Sequence, residues 1–278
     1  MLQEISFVKL SPTQNMTILV TSMHKEEDYA PIASKLMSYD SVYAEQVGFV
    51  KMAAHPDAAA ALDMAGGEFC GNACMALAAL TARQQSMEYG DFTTIHLAAS
   101  GTDQLISCLV QKTDKDDFFC KLRMPVPWNI DARTLKHEGN DYTVGLVQYS
   151  NYLHLVLEVK QFTASLKRMA ENLARMLEIT SSYSLIGVLL FRPDFNELLP
   201  LMHVTSLDTL VWERGCGSGT ASVGAYAAWK NNSVFEAPIQ QPGGIIRVSA
   251  NGRNHKNAGV SISGNVCIVA EGKAYINL

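Results

Sequence analysis

The chain has 278 residues, 48% of them hydrophobic, enough apolar material for one large domain or two of ordinary size, and no low-complexity tract suggests disorder. Its net charge of −5 and scattered basic residues exclude a general nucleic-acid binder, and no apolar run is long enough to span a membrane. The start, Met1-Leu2-Gln3-Glu4-Ile5, lacks the positive and apolar regions of a secretory signal. A cytoplasmic location is therefore expected, where thiols stay reduced and six cysteines require no disulfide framework.

In chain order, residues 16–20 alternate or run β-branched and read as a strand, with Asn15 at the turn before it. Residues 29–39 carry helical spacing, Glu45-Gln46 precede the next strand, and residues 73–82 form a run of small helix-compatible residues after Cys70. Strands follow at 93–97 and 104–110, and the two prolines of Met124-Pro125-Val126-Pro127-Trp128 mark a boundary. Beyond it come strands at 142–149 and 153–159. An amphipathic helix at 162–179 has Leu166, Met169, Leu173 and Met176 on one face, and a second small-residue helix at 220–229 follows Cys216. Strands at 244–248 and 266–270 close the chain. The class is α+β. The order of elements repeats in each half, and the two cysteines stand 146 residues apart, as an internal duplication gives. Two domains are expected: 1–126, completed by the C-terminal strand 267–278, and 127–266.

Two strings carry the chemistry: Glu68-Phe69-Cys70-Gly71-Asn72-Ala73 and Glu213-Arg214-Gly215-Cys216-Gly217-Ser218-Gly219-Thr220. Each places a thiol at the entrance to a helix. There the first N–H groups lack intrahelical partners and the macrodipole favours an anion, so a thiol ionises more readily and a carboxylate can be held. Glycine lets that carboxylate approach the backbone. Two such termini across a cleft would grip one carboxylate and set a sulfur on each face of the neighbouring carbon. Cys74, Cys108, Cys120 and Cys267 lie in apolar surroundings and read as small hydrophobes. No ligand spacing indicates a metal site.

These strings, with Gln241-Pro242-Gly243-Gly244 downstream and Asn15 and Glu45-Gln46 upstream, resemble the diaminopimelate epimerase fold, a superfamily of cofactor-independent amino-acid racemases and epimerases. The resemblance implies two pseudo-symmetric α/β domains, each a mostly antiparallel sheet or barrel wrapped around a central helix, with the active site in the interdomain cleft. The chain departs from the diaminopimelate enzymes where they hold a distal amino-acid head. Tyr152-Leu153-His154 replaces an Asn-Pro-His string, Gly187-Val188-Leu189-Leu190 lacks an asparagine, and one residue separates Arg214 from Cys216.

A narrower likeness is to the histidine racemases of opine-type metallophore biosynthesis, through residues 15–20, 45–49, 68–73, Tyr152, His154 and 216–222. It implies a PLP-independent isomerase with Cys70 and Cys216 as catalytic thiols in a two-base 1,1-proton transfer. Asn15, Glu45, Gln46, Gly71, Asn72, Tyr152, Glu213, Gly217 and Ser218 are its substrate-binding residues. Glu45 and Tyr152 can serve an imidazole as carboxylate partner and aromatic wall. His154 is read as a core histidine, and Asp63 either replaces a distal-group asparagine or lies in a surface loop. No cofactor or metal is implied; the partner is a small-molecule amino acid, and a homodimer stays open. The alternatives are a diaminopimelate epimerase, a proline or hydroxyproline epimerase, or a protein that binds an amino acid without turning it over.

Overall fold

The computed structural model describes residues 2–252 and 259–277. It divides into two compact units, Met1–Arg123 with Ser263–Leu278, and Met124–Ile262.

The first unit runs β1 (Leu2–Pro12), β2 (Thr17–Val20), α1 (Tyr29–Met37), β3 (Gln46–Lys51), β4 (Ala60–Met64), α2 (Gly71–Gln84), β5 (Phe92–Ala99), β6 (Ile106–Lys112) and β7 (Asp117–Met124). Its last strand is β16 (Val260–Asn277), which begins in the second unit. These eight strands follow in spatial order β1 to β7 and then β16, which pairs back onto β1 from Leu2↔Asn277 to Pro12↔Val266. The ring is thereby closed, which removes free edges. Helix α2 packs on β1, β2, β4, β5 and β6, inside this ring. Its sequence explains how it fits: Ala73, Ala76, Ala78, Ala79 and Ala82 are buried on every side, as a helix without a polar face must be. Outside, α1 buries Ile32 and Leu36 against a core containing Ile18, Val20 and Phe49, with Tyr29 stacked 3.7 Å over Phe49.

The second unit runs β8 (Asn129–His137), β9 (Asn140–Gln148), β10 (Tyr152–Glu158), α3 (Ala164–Thr180), β11 (Leu185–Arg192), β12 (Glu197–Val204), β13 (Thr209–Trp212), α4 (Gly217–Asn231), β14 (Phe235–Gln241) and β15 (Gly244–Ala250). The strand order is β8-β9-β10-β11-β12-β14-β15, with β13 paired to β12. Thr163 caps α3 by accepting the Leu166 N–H, and the helix buries Leu166, Ala170 and Ala174. Helix α4 packs on β9, β10, β11, β14 and β15 and ends at Asn232 in the left-handed conformation that closes many helices.

The pairing sequence is the same in both units. A helix crosses between parallel strands (β2–β3 over α1; β10–β11 over α3), an antiparallel pair follows (β3–β4; β11–β12), the cysteine helix makes a second parallel crossover (β4–β5; β12–β14), and a hairpin ends the set (β5–β6; β14–β15). Sheets of both kinds with segregated helices make the class α+β, as the sequence indicates. Boundaries differ from the sequence reading. The cysteine helices start at Gly71 and Gly217, ahead of residues 73 and 220, because the sulfurs themselves cap them, and α1 stops at Met37 where Ser38 turns extended.

Candidate active site

Cys70 and Cys216 occupy the same local geometry. Each is the N-cap of its helix in extended conformation, φ −128° and ψ 109° for Cys70, φ −122° and ψ 110° for Cys216. The Cys70 sulfur accepts the Ala73 N–H at 3.4 Å and the Cys216 sulfur the Gly219 N–H at 3.3 Å. A sulfur thus stands where serine, threonine or aspartate usually caps a helix, and negative charge on it is stabilised by the helix end. The helix bond pattern uses neither Gly71 N–H nor the N–H groups of Gly217 and Ser218.

Around Cys70 the first unit gathers residues from three segments. The thiol lies 3.0 Å from Gln46 Oε1, Gln46 Nε2 donates to Thr17 Oγ1 at 2.7 Å, and that hydroxyl donates to the Asn15 carbonyl at 3.2 Å. Asn15 is wholly buried and, among the described residues, neither atom of its side-chain amide has a hydrogen-bond partner. Asn72 is also buried, on the first turn of α2. Glu45 is half-buried just ahead of β3, tied by its N–H to the Met16 carbonyl at 2.8 Å, with its carboxyl oxygen Oε2 inside the protein. Asp63 does not join the group: on β4, it ion-pairs with Lys51 at 2.6 Å.

Glu68 is a residue the sequence reading missed. It is 8% exposed, the N–H groups of Gly66 and of Glu68 itself point at its carboxyl, and Oε2 is buried with no hydrogen-bond partner among the described residues. Burial raises its pKa against those two donors. The available signal was a charged residue inside Gly67-Glu68-Phe69-Cys70, where Phe69 is core.

In the second unit the Cys216 N–H donates to Gln241 Oε1 at 2.7 Å, Gln241 Nε2 donates to Thr220 Oγ1 at 2.8 Å, and that hydroxyl donates back to the Cys216 carbonyl at 2.6 Å. This ring fixes the backbone at the cysteine. Gln241, noticed only as part of a glycine string, is thereby a site residue. Burial pushes the Cys216 thiol well above its usual pKa, and Glu213 adds to the rise by its charge and by a hydrogen bond; Ser218 and the Gly219 N–H act against it. Tyr152 is buried and stacked on Tyr149 at 4.0 Å. Its phenol is pushed up by burial, then by Tyr149, and also by Cys216. His154 shares Ser222 Oγ with Tyr149, at 2.7 Å and 2.9 Å, and burial drives its pKa down to about 3, so it is a neutral core histidine. A Cβ at Gly187 would lie 2.5 Å from its ring.

The structure therefore groups Asn15, Gln46, Cys70, Gly71 and Asn72 in one unit, and Tyr152, Glu213, Cys216, Gly217 and Ser218 in the other. Elsewhere, Glu178, His203 and Asp208 come within 4.8 Å of one another, but Arg175 already contacts both carboxylates.

Each unit thus carries one thiol as a helix N-cap, on a fold that solved racemases and epimerases share. Solved structures that share the fold include a hydroxyproline epimerase from Agrobacterium vitis (TM-score 0.68, 11% identity, 99% of this chain and 92% of that one) and a PhzF-family phenazine biosynthesis protein from Bacillus anthracis (TM-score 0.67, 13% identity, all of both chains). The family model described as "Histidine racemase CntK N-terminal domain" matches residues 4–275. Curated histidine racemases from Staphylococcus aureus (33% identical over 99% of this chain and 98% of theirs) and Fusobacterium nucleatum subsp. nucleatum (30%, 99% and 98%) align along the whole length. The chain belongs to the histidine racemase family.

Proposed function

We propose that the chain interconverts L- and D-histidine by two proton transfers at the α-carbon, with Cys70 and Cys216 as base and acid. The matched N-cap geometry of the two thiols carries this reading. Moving a hydrogen from one face of a carbon to the other is served by two acid–base groups, one facing each side. Thiols suit the task, since both partners can hold or release the proton near neutral pH once charge is stabilised. The N–H groups of Gly71, Gly217 and Ser218 take the α-carboxylate and the charge that grows on it as the α-proton leaves, which is preorganised electrostatic stabilisation. In the direction where Cys70, once ionised, takes the α-proton, Cys216, held protonated by a pKa well above its usual value, returns one to the other face; in the reverse direction the two exchange roles. The thiols supply both transfers, so the chemistry calls for no cofactor. Tyr152 walls the imidazole, and Glu45 and the Asn15 amide, which has no partner among the described residues, receive its polar atoms.

Cys70→Ser and Cys216→Ser should each lower racemisation by at least about a thousandfold, on the scale of lost acid–base catalysis. Each should still exchange the α-proton of one enantiomer with solvent deuterium, and the enantiomer should differ between the two variants. Full racemisation by either single variant overturns the two-thiol reading. Chiral analysis with histidine, proline and diaminopimelate separates the substrates, and deuterium incorporation separates an enzyme from a binding protein. We take the enzyme to work in the cytoplasm, where its thiols stay reduced.

A further inference from the structure

The Cys70 sulfur ends a directed chain of hydrogen bonds whose other end is a backbone carbonyl. A carbonyl only accepts, so the Thr17 hydroxyl, 3.2 Å from the Asn15 oxygen, commits its single proton there. Thr17 Oγ1 must then accept at 2.7 Å from Gln46, and the group facing it is the amide nitrogen. An amide turned this way sets Oε1 toward Cys70, 3.0 Å from sulfur. A lone pair on oxygen favours S–H and opposes thiolate. Which way a glutamine faces is settled by its network, and here the network is anchored on a main-chain atom. Thr17 is fully buried, so no solvent relaxes the choice.

We infer that Thr17 is a positioning residue for the proton transfer: through Gln46 it keeps the proton on Cys70 in the free enzyme. Gln46 is accordingly a holder of the thiol, a role beside the substrate contact that the sequence suggested. For Cys70 to ionise, its proton leaves to solvent, the Gln46 amide turns over to donate from Nε2 to sulfur, and the Thr17 hydroxyl swings from the Asn15 carbonyl to Gln46 Oε1. The Ala73 N–H serves the sulfur in both arrangements. The second unit uses the same residue pair differently. Gln241 and Thr220 engage the N–H and carbonyl of Cys216, leaving its sulfur out of the relay. Cys74, one turn beyond Cys70, is a titratable neighbour whose own thiol stays protonated through burial. The acidic side chains on the flanking segments, Glu45 before β3 and Glu68 in the same loop, are unchanged by any substitution at Thr17.

The inference rests on Cys70 being an acid–base group, but its test reads the proton directly. In the Cys216→Ser protein, the rate of Cys70 alkylation by iodoacetamide is followed against pH, with the modified residue located by mass spectrometry. Thr17→Val, which keeps shape and removes both donor and acceptor, should lower the midpoint by about 0.5–1 pH unit, the equivalent of one neutral hydrogen bond. Thr17→Ser should restore it. In the otherwise intact enzyme, the acid limb of kcat/KM for histidine should move the same way. An unchanged or higher midpoint in Thr17→Val overturns the inference. So does a midpoint well below neutrality in the Cys216→Ser protein itself, a result independent of whether the valine variant folds. Alkylation is readable whether or not histidine is turned over, so failure of the racemase reading leaves a distinct signature.

Discussion

At the scale of single residues, two buried titratable groups give the protein opposite pH dependences. His154 is pushed down to about 3 by burial, whereas an unfolded chain takes up that proton near 6.5. The unfolded state therefore binds more protons as pH falls, and stability is lost in the window from about 6.5 to 3. Denaturant midpoints should fall by the equivalent of about 1 kcal/mol between pH 6.5 and 5.5, and His154→Gln should flatten that dependence. A slope indifferent to His154 would sink the argument. Glu68 works the other way. Its folded pKa is raised, so its stabilising contribution is present below the unfolded value of 4.5 and is lost as pH rises. Glu68→Gln should therefore melt higher than the parent at pH 7, with an advantage that shrinks towards pH 4; an equal or lower melting temperature at pH 7 contradicts it. A site that tolerates this cost has a use for the carboxyl, since stability and activity commonly trade against each other at such positions.

At the scale of elements, the two cysteine helices fit because alanine and glycine recur along them between the larger Met75, Leu77 and Tyr226. A Cβ added at Gly224 on α4 would meet a Val248 methyl of β15 at 2.4 Å. Glycine to alanine gains about 1 kcal/mol of helix propensity, but overpacking a tight contact costs about 1–3 kcal/mol. Gly224→Ala is expected to lower thermal stability, and a rise in melting temperature would show that β15 yields. The helices were legible for this reason: runs of alanine and glycine after each cysteine, and a one-faced apolar stripe along α3. The strands were less so. Pro200 lies inside β12, opposite Leu189, where a proline argues against a central strand. Its carbonyl takes the Glu213 N–H at 3.0 Å on the side of β13, whose ladder with β12 stops at Leu201↔Trp212, so no ladder pair there requires the missing N–H. β8 mixes polar, charged and apolar residues with no regular alternation and ends the strand path beside β9, so no apolar face marks it.

At the scale of the whole molecule, the last strand returns to the first. Residues 263–277 belong to the first unit although the second unit is inserted before them, and β16 pairs with β1 at eleven positions. A chain ending at Ile262 should lose the first unit's cooperative melting, because Val266, Ile268, Ala274 and Ile276 leave its core. The three tryptophans, Trp128, Trp212 and Trp229, all lie in the second unit, so their fluorescence should still report a transition there. A single transition at the parent temperature would exclude this view. The sequence by itself determined the pair of thiols at helix entrances and the repeated order of elements, because caps, glycines and periodicity are local properties of the chain. Only the tertiary structure decided where the protons rest. Gln46 reaches the Cys70 thiol from a remote strand with Thr17 behind it, and burial joins Glu213 in raising the Cys216 thiol. Protonation depends on solvent exclusion and on partners distant in sequence, and neither is written in a local pattern.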